Sequence, residues 1–116
     1  RGERILLIED EEPLRAMLRR MLCAHGYEVV DAPDAEKGLR AVQGRSLDLL
    51  LTDLMLPSLD GPALAQQLLA AQPSLRVLYM TGYPPAGREL PAAEPLIQKP
   101  FTRLALLGEV RRVLDR

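Results

Sequence analysis

RILLIEDEEPLRAMLRRMLCAHG, residues 4–26, sets the architecture. Ile5 to Ile8 form a continuous apolar run rather than an alternating one, the pattern of a parallel strand covered on both faces. Four acids, Glu9 to Glu12, follow at once. Pro13 suits the first turn of a helix, where its missing N–H costs nothing. Leu14, Met17, Leu18, Met21 and Leu22 then recur at the spacing of one helical face, and Gly26 marks the C-terminal stop. The unit is a short buried strand, an acidic turn and an amphipathic helix.

Further units of this kind follow. Apolar runs at Tyr27 to Asp31, Asp48 to Thr52, Arg76 to Met80 and Leu96 to Gln98 predict four more strands. Ala35, Leu39 and Val42 mark a second helix ended by Gly44. Leu64, Ala65, Leu68 and Leu69 mark a third before Pro73, and Leu104, Leu107, Val110 and Leu114 mark the last. Alternating strands and helices predict an α/β fold, a parallel sheet with helices on both faces. Pro84 to Pro95 contains five residues that are proline or glycine, Pro84, Pro85, Gly87, Pro91 and Pro95, and has room for only a short or irregular fourth helix.

Composition narrows the function. At 116 residues the chain is the size of one domain, residues 1–116. Its formal net charge of -1 gives no reason to expect nucleic acid. No apolar run approaches the roughly 20 residues of a membrane span, so membrane contact is not expected. The single Cys23 excludes an internal disulfide and fits a reducing, cytoplasmic setting. Cys23 itself is expected to pack within the first helix. The single His25, next to Gly26, suits a solvated helix end. Arg103, Arg111, Arg112 and Arg116 suit a solvated face.

In an open parallel sheet, ligands bind beyond the carboxyl ends of the strands. Glu9 and Asp10 follow the first strand, Asp53 the third, Thr81 and Gly82 the fourth, and Lys99 and Pro100 the fifth. Taken singly, each has an ordinary reading: acids complement a helix start, and a lone Asp often closes a turn. Taken together, they converge three carboxylates, a hydroxyl and an ammonium. Clustered carboxylates repel unless protonated or bridged by a cation. Hard oxygen donors suit Mg²⁺, one carboxylate can attack phosphorus, and the lysine and hydroxyl can stabilise the oxygens of a transferring phosphoryl group.

The chain resembles a response-regulator receiver domain over essentially its whole length. The resemblance is carried by Ile5-Leu6-Leu7-Ile8-Glu9-Asp10-Glu11, by Leu51-Thr52-Asp53-Leu54-Met55-Leu56-Pro57 with Asp60-Gly61, by Met80-Thr81-Gly82-Tyr83 and by Gln98-Lys99-Pro100-Phe101. It implies a flavodoxin-like doubly wound (βα)5 fold with a five-stranded sheet. It implies that Asp53 accepts a phosphoryl group from a phosphohistidine and later loses it. Mg²⁺ would be served by Glu9, Asp10, Asp53 and the backbone carbonyl of Met55. Thr81 matches the switch hydroxyl, Lys99 the phosphate-binding lysine, and Lys99-Pro100 a cis peptide. Implied partners are a histidine kinase or a histidine phosphotransfer domain, and the resemblance allows a weak homodimer.

The 80–83 and 98–101 segments resemble those of receivers at the C-terminus of hybrid sensor histidine kinases, and the start at Arg1 suggests an excised piece. Two departures stand out. Glu9 replaces a frequent Asp, and Leu96 stands where many members carry the aromatic half of their switch. Met55 and Tyr83, two residues beyond Asp53 and Thr81, flank the path of attacking water in the family.

Two other classes compete. One is a receiver-like protein-interaction module that is not phosphorylated. The other is a cofactor or phosphatase fold. A flavodoxin-type cofactor binder needs a hydroxyl- or glycine-rich phosphate loop after the first strand, where this chain has Glu9-Asp10-Glu11-Glu12. A haloacid-dehalogenase-type phosphatase needs an Asp-x-Asp pair, which Asp53-Leu54-Met55 lacks.

Overall fold

The computed structural model describes residues 2–56, 60–82 and 95–116. Within them run β1 (Arg4–Ile8), α1 (Glu12–Ala24), β2 (Glu28–Ala32), α2 (Ala35–Ala41), β3 (Leu49–Asp53), α3 (Gly61–Ala71), β4 (Arg76–Thr81), β5 (Leu96–Gln98) and α4 (Arg103–Leu114). All pairings are parallel, in the order β2-β1-β3-β4-β5. The expected α/β architecture with a five-stranded parallel sheet is therefore present. The short or irregular helix expected in the Pro84–Pro95 stretch lies outside the described residues, Pro95 excepted.

Side chains alternate across each strand, so each central strand feeds two cores. Ile5, Leu7, Leu49, Leu51, Leu78 and Met80 point to one face, against Leu18 and Leu22 of α1 and Leu106 and Val110 of α4. Leu6, Ile8, Leu50, Val77 and Tyr79 point to the other, against Ala35 of α2 and Leu64, Ala65 and Leu68 of α3. This two-sided burial is why β1, β3 and β4 read as unbroken apolar runs. β2 is an edge strand, mostly half-buried, which is why Glu28 and Asp31 are accommodated there.

The helix signals match local chemistry. Pro13 lies in the first turn of α1, and Gly26 adopts φ 93°, the left-handed stop that glycine adopts without strain. Asp34, Asp60 and Thr102 cap α2, α3 and α4 by accepting from the N–H of Lys37, Ala63 and Ala105.

Two expectations are corrected. Cys23 is exposed, because it falls beside Leu22 on the side of α1 turned from the sheet. Arg111 is not merely solvated: its guanidinium donates to Glu3 and Asp115, both at 2.8 Å, and so clasps α4 to the chain's start.

Candidate functional site

Strand register brings the polar residues together. Ile8 pairs with Thr52, Asp53 with Met80 and Thr81 with Gln98. Glu9, Asp53, Thr81 and Lys99 therefore fall in a row along the carboxyl edge of β1, β3, β4 and β5. The edge is fastened by backbone bonds: Leu54 N–H donates to Met80 O at 2.8 Å, and Lys99 N–H to Thr81 O at 2.7 Å. The Lys99–Pro100 peptide is cis, as the resemblance implied.

At the centre, the Lys99 ammonium lies 2.7 Å from both Glu9 Oε1 and Asp53 Oδ1. Glu9 is 1% exposed and Asp53 7%. Glu9 Oε2 also accepts from the N–H of Glu11 at 3.0 Å. Asp10 is exposed, and one oxygen from each of Glu9, Asp10 and Asp53 lies within 4.8 Å of the others. Three hard oxygen donors that close, one still facing solvent, fit a small divalent cation such as Mg²⁺.

The charges are unequal in cost. Burial raises the Asp53 pKa most; the Lys99 hydrogen bond opposes this, Glu9 reinforces it, and the result is about 7. Burial also works against ionised Glu9, but hydrogen bonds from Lys99 and the Glu11 N–H outweigh it and hold Glu9 below the usual range. Lys99 is depressed by burial yet ends above its ordinary value, because two carboxylates favour the ammonium. Without a cation, Glu9 and Lys99 form the charged pair and Asp53 holds a proton up to near neutrality.

The backbone around Asp53 is crowded. The Gly61 N–H donates to Leu54 O at 3.0 Å. A Cβ on Gly61 would lie 2.5 Å from Asp53 O and 3.2 Å from Tyr79 Cε1. Glycine lets α3 press against the peptide that carries Asp53. Gly61→Ala is expected to lose about 1–3 kcal/mol of stability by overpacking and to weaken divalent-cation binding in the same variant. Urea unfolding and a Mg²⁺ titration check both.

Of the expected site residues, Glu9, Asp53 and Lys99 meet directly, Asp10 brings a carboxylate oxygen within 4.8 Å of theirs, and Thr81, buried, shares their edge. Met55 is 59% exposed beside Asp53. Tyr83 lies outside the described residues. Two residues that the sequence reading passed over also belong here. Arg15 Nη1 donates to Glu9 O at 2.9 Å, and its Nε to Asp31 at 3.2 Å. The available signals were an arginine at the helix start, just behind the acids, and a lone Asp within the otherwise apolar Val29-Val30-Asp31-Ala32.

An acid-lined carboxyl edge with one lysine set among the carboxylates has the chemistry expected of a phosphoryl-receiving signalling domain. Residues 5–111 match the response regulator receiver domain family, and the chain belongs to that family: it is a receiver domain of two-component signalling. It is 35% identical over 117 residues to the transcriptional regulatory protein RprY of Bacteroides fragilis, covering 97% of this chain and 50% of that protein. It is 29% identical over 116 residues to the response regulator receiver protein CpdR of Brucella abortus, covering 97% of each. The receiver domain of the sensor histidine kinase PA1611 of Pseudomonas aeruginosa, solved with magnesium in its active-site cleft, superposes over 100% of both chains with a TM-score of 0.86 and 26% identity. The chain thus spans half of one relative and nearly all of another. No helix among the described residues is long and apolar enough to cross a membrane.

Proposed function

We propose that Asp53 is the phosphoryl acceptor, that Glu9, Asp10, Asp53 and the backbone carbonyl of Met55 hold Mg²⁺, and that a histidine kinase or histidine phosphotransfer domain is the donor. The observation that carries this reading is the Lys99 ammonium within 2.7 Å of both Glu9 and Asp53, with Asp10 alongside. In the transfer, an Asp53 carboxylate oxygen bonds to phosphorus as the bond from phosphorus to the donor imidazole nitrogen breaks. The electron pair stays on that nitrogen, which takes up a proton. Lys99 then turns from the Asp53 carboxylate to the phosphoryl oxygens. Bound Mg²⁺ would supply positive charge for those oxygens and for the acids.

The response is a population shift between two arrangements of this edge, with Thr81 supplying the hydroxyl that follows the phosphoryl group. Leu96, half-buried in β5 opposite Tyr79, supplies no ring, so the switch works without aromatic rotation.

The reading is tested by intact mass after incubation with acetyl phosphate. One phosphoryl gained with Mg²⁺, and none with a chelator, is the expected result. No gain from either acetyl phosphate or a phosphorylated histidine phosphotransfer domain would support the unphosphorylated interaction module instead.

Met55, two residues beyond Asp53, is 59% exposed, and as a shield its side chain would keep water from the acyl phosphate. Met55→Asn offers an amide that can hold a water there. The phosphorylated state is then expected to decay several-fold faster, read as loss of the mass shift with time. An unchanged lifetime would remove Met55 as a shield.

A further inference from the structure

Asp10 sits at the metal-facing corner of the site, yet no hydrogen bond or ion pair among the described residues holds its side chain. Its position depends on its backbone, and the peptide that joins it to Glu9 is gripped from behind. Arg15 Nη1 donates to Glu9 O at 2.9 Å, and Nε to Asp31 Oδ2 at 3.2 Å. Glu12 lies 3.7 Å from Nη2. The Arg15 side chain is only 14% exposed. Asp31, near the end of edge strand β2, is fixed in turn by Arg19 at 3.3 Å. Arg15 therefore bridges the β1 tip and the β2 tip.

We propose that Arg15, anchored by Asp31, is a positioning residue: it fixes the plane of the Glu9–Asp10 peptide and so the placement of the Asp10 carboxylate for a divalent cation. This inference rests on the reading of the acid cluster as a cation site. A planar guanidinium can serve a carbonyl and a carboxylate together at fixed angles, which a lysine cannot. Partners behind a ligand commonly matter to affinity by about 10–100-fold.

Charge alone predicts the opposite sign. Arg15 is a cation near a cation site, so removing it as a charge would tighten Mg²⁺ binding, whereas removing it as a tether weakens binding. The experiment is a calorimetric titration with MgCl₂ of the native chain, Arg15→Ala, Arg15→Lys, Asp31→Asn and Arg19→Ala, each checked for folding by circular dichroism. The expected result is about tenfold weaker binding in Arg15→Ala, a smaller loss in Arg15→Lys and Asp31→Asn, and the smallest loss in Arg19→Ala, which reaches the tether only through Asp31. In the metal-free protein, the amide resonances of Asp10 and Glu11 should shift in Arg15→Ala. Native or tighter affinity in folded Arg15→Ala overturns the proposal. Should Arg15→Ala not fold, native affinity in both Arg15→Lys and Asp31→Asn overturns it. Failure of the native chain to bind Mg²⁺ at all would instead overturn the reading of the site.

Discussion

Asp53→Asn is expected to be more stable than the native domain at pH 8 in the absence of divalent cations. Asp53 is 7% exposed, and burial with Glu9 beside it raises its pKa to about 7 against the support of Lys99. The unfolded chain releases that proton near 4. Between these values the folded state holds a proton that the unfolded state has lost, so stability falls as pH rises through the window and stays low above it. Asparagine keeps the shape and never ionises. The gain at pH 8 should be on the order of 1–3 kcal/mol, seen as a rise of several degrees in Tm, and should shrink towards pH 5. Mg²⁺ held as proposed would stabilise ionised Asp53, so it should narrow the gap. Thermal unfolding of both forms at pH 5 and 8, with and without Mg²⁺, measures this. Equal stability at pH 8 would mean that Asp53 ionises without cost.

Lys99→Met should have the other large effect, and of opposite sign. It removes the ammonium that faces both Glu9 and Asp53. Without Mg²⁺ at pH 8, Glu9 is left buried and uncompensated. Loss of one partner of a fully buried pair costs about 3–5 kcal/mol; Lys99 is 23% exposed, so part of that is expected. The cost should diminish in acid as the carboxylates take up protons. Mg²⁺ should restore stability but not phosphoryl transfer, which should slow by roughly a hundredfold or more for want of a donor to the transferring oxygens. The time course of phosphoryl gain, followed by mass, separates the two effects. A native rate in Lys99→Met would assign the lysine to structure alone.

The fold was legible because a doubly covered parallel sheet demands unbroken apolar strands, and Ile5 to Ile8 and Leu49 to Leu51 supply them. The site was legible because its residues sit directly at strand ends, where sequence position fixes place: Glu9 after β1, Asp53 closing β3 and Lys99 after β5. Strand ends were misplaced by a residue where polar side chains belong to the ladder, as with Asp53 and Thr81. Arg15 and Asp31 escaped because their contact joins a helix face to an edge strand, a pairing that no local pattern encodes. Gly61 showed as part of a motif, but its closeness to the Asp53 carbonyl is a tertiary fact. The exposure of Cys23 depended on a helix rotation that the mixed pattern Met21-Leu22-Cys23 left open.

The central claim is that Asp53 carries the phosphoryl group, and it can be read at the residue itself. After incubation with acetyl phosphate and Mg²⁺, borohydride reduces an acyl phosphate to the alcohol and leaves homoserine in place of aspartate. Peptide mass mapping of the reduced chain should find homoserine at position 53, absent when Mg²⁺ is withheld. Homoserine at another aspartate, the corresponding five-carbon alcohol at a glutamate, or a phosphoryl group that survives borohydride on a different residue type would contradict the account.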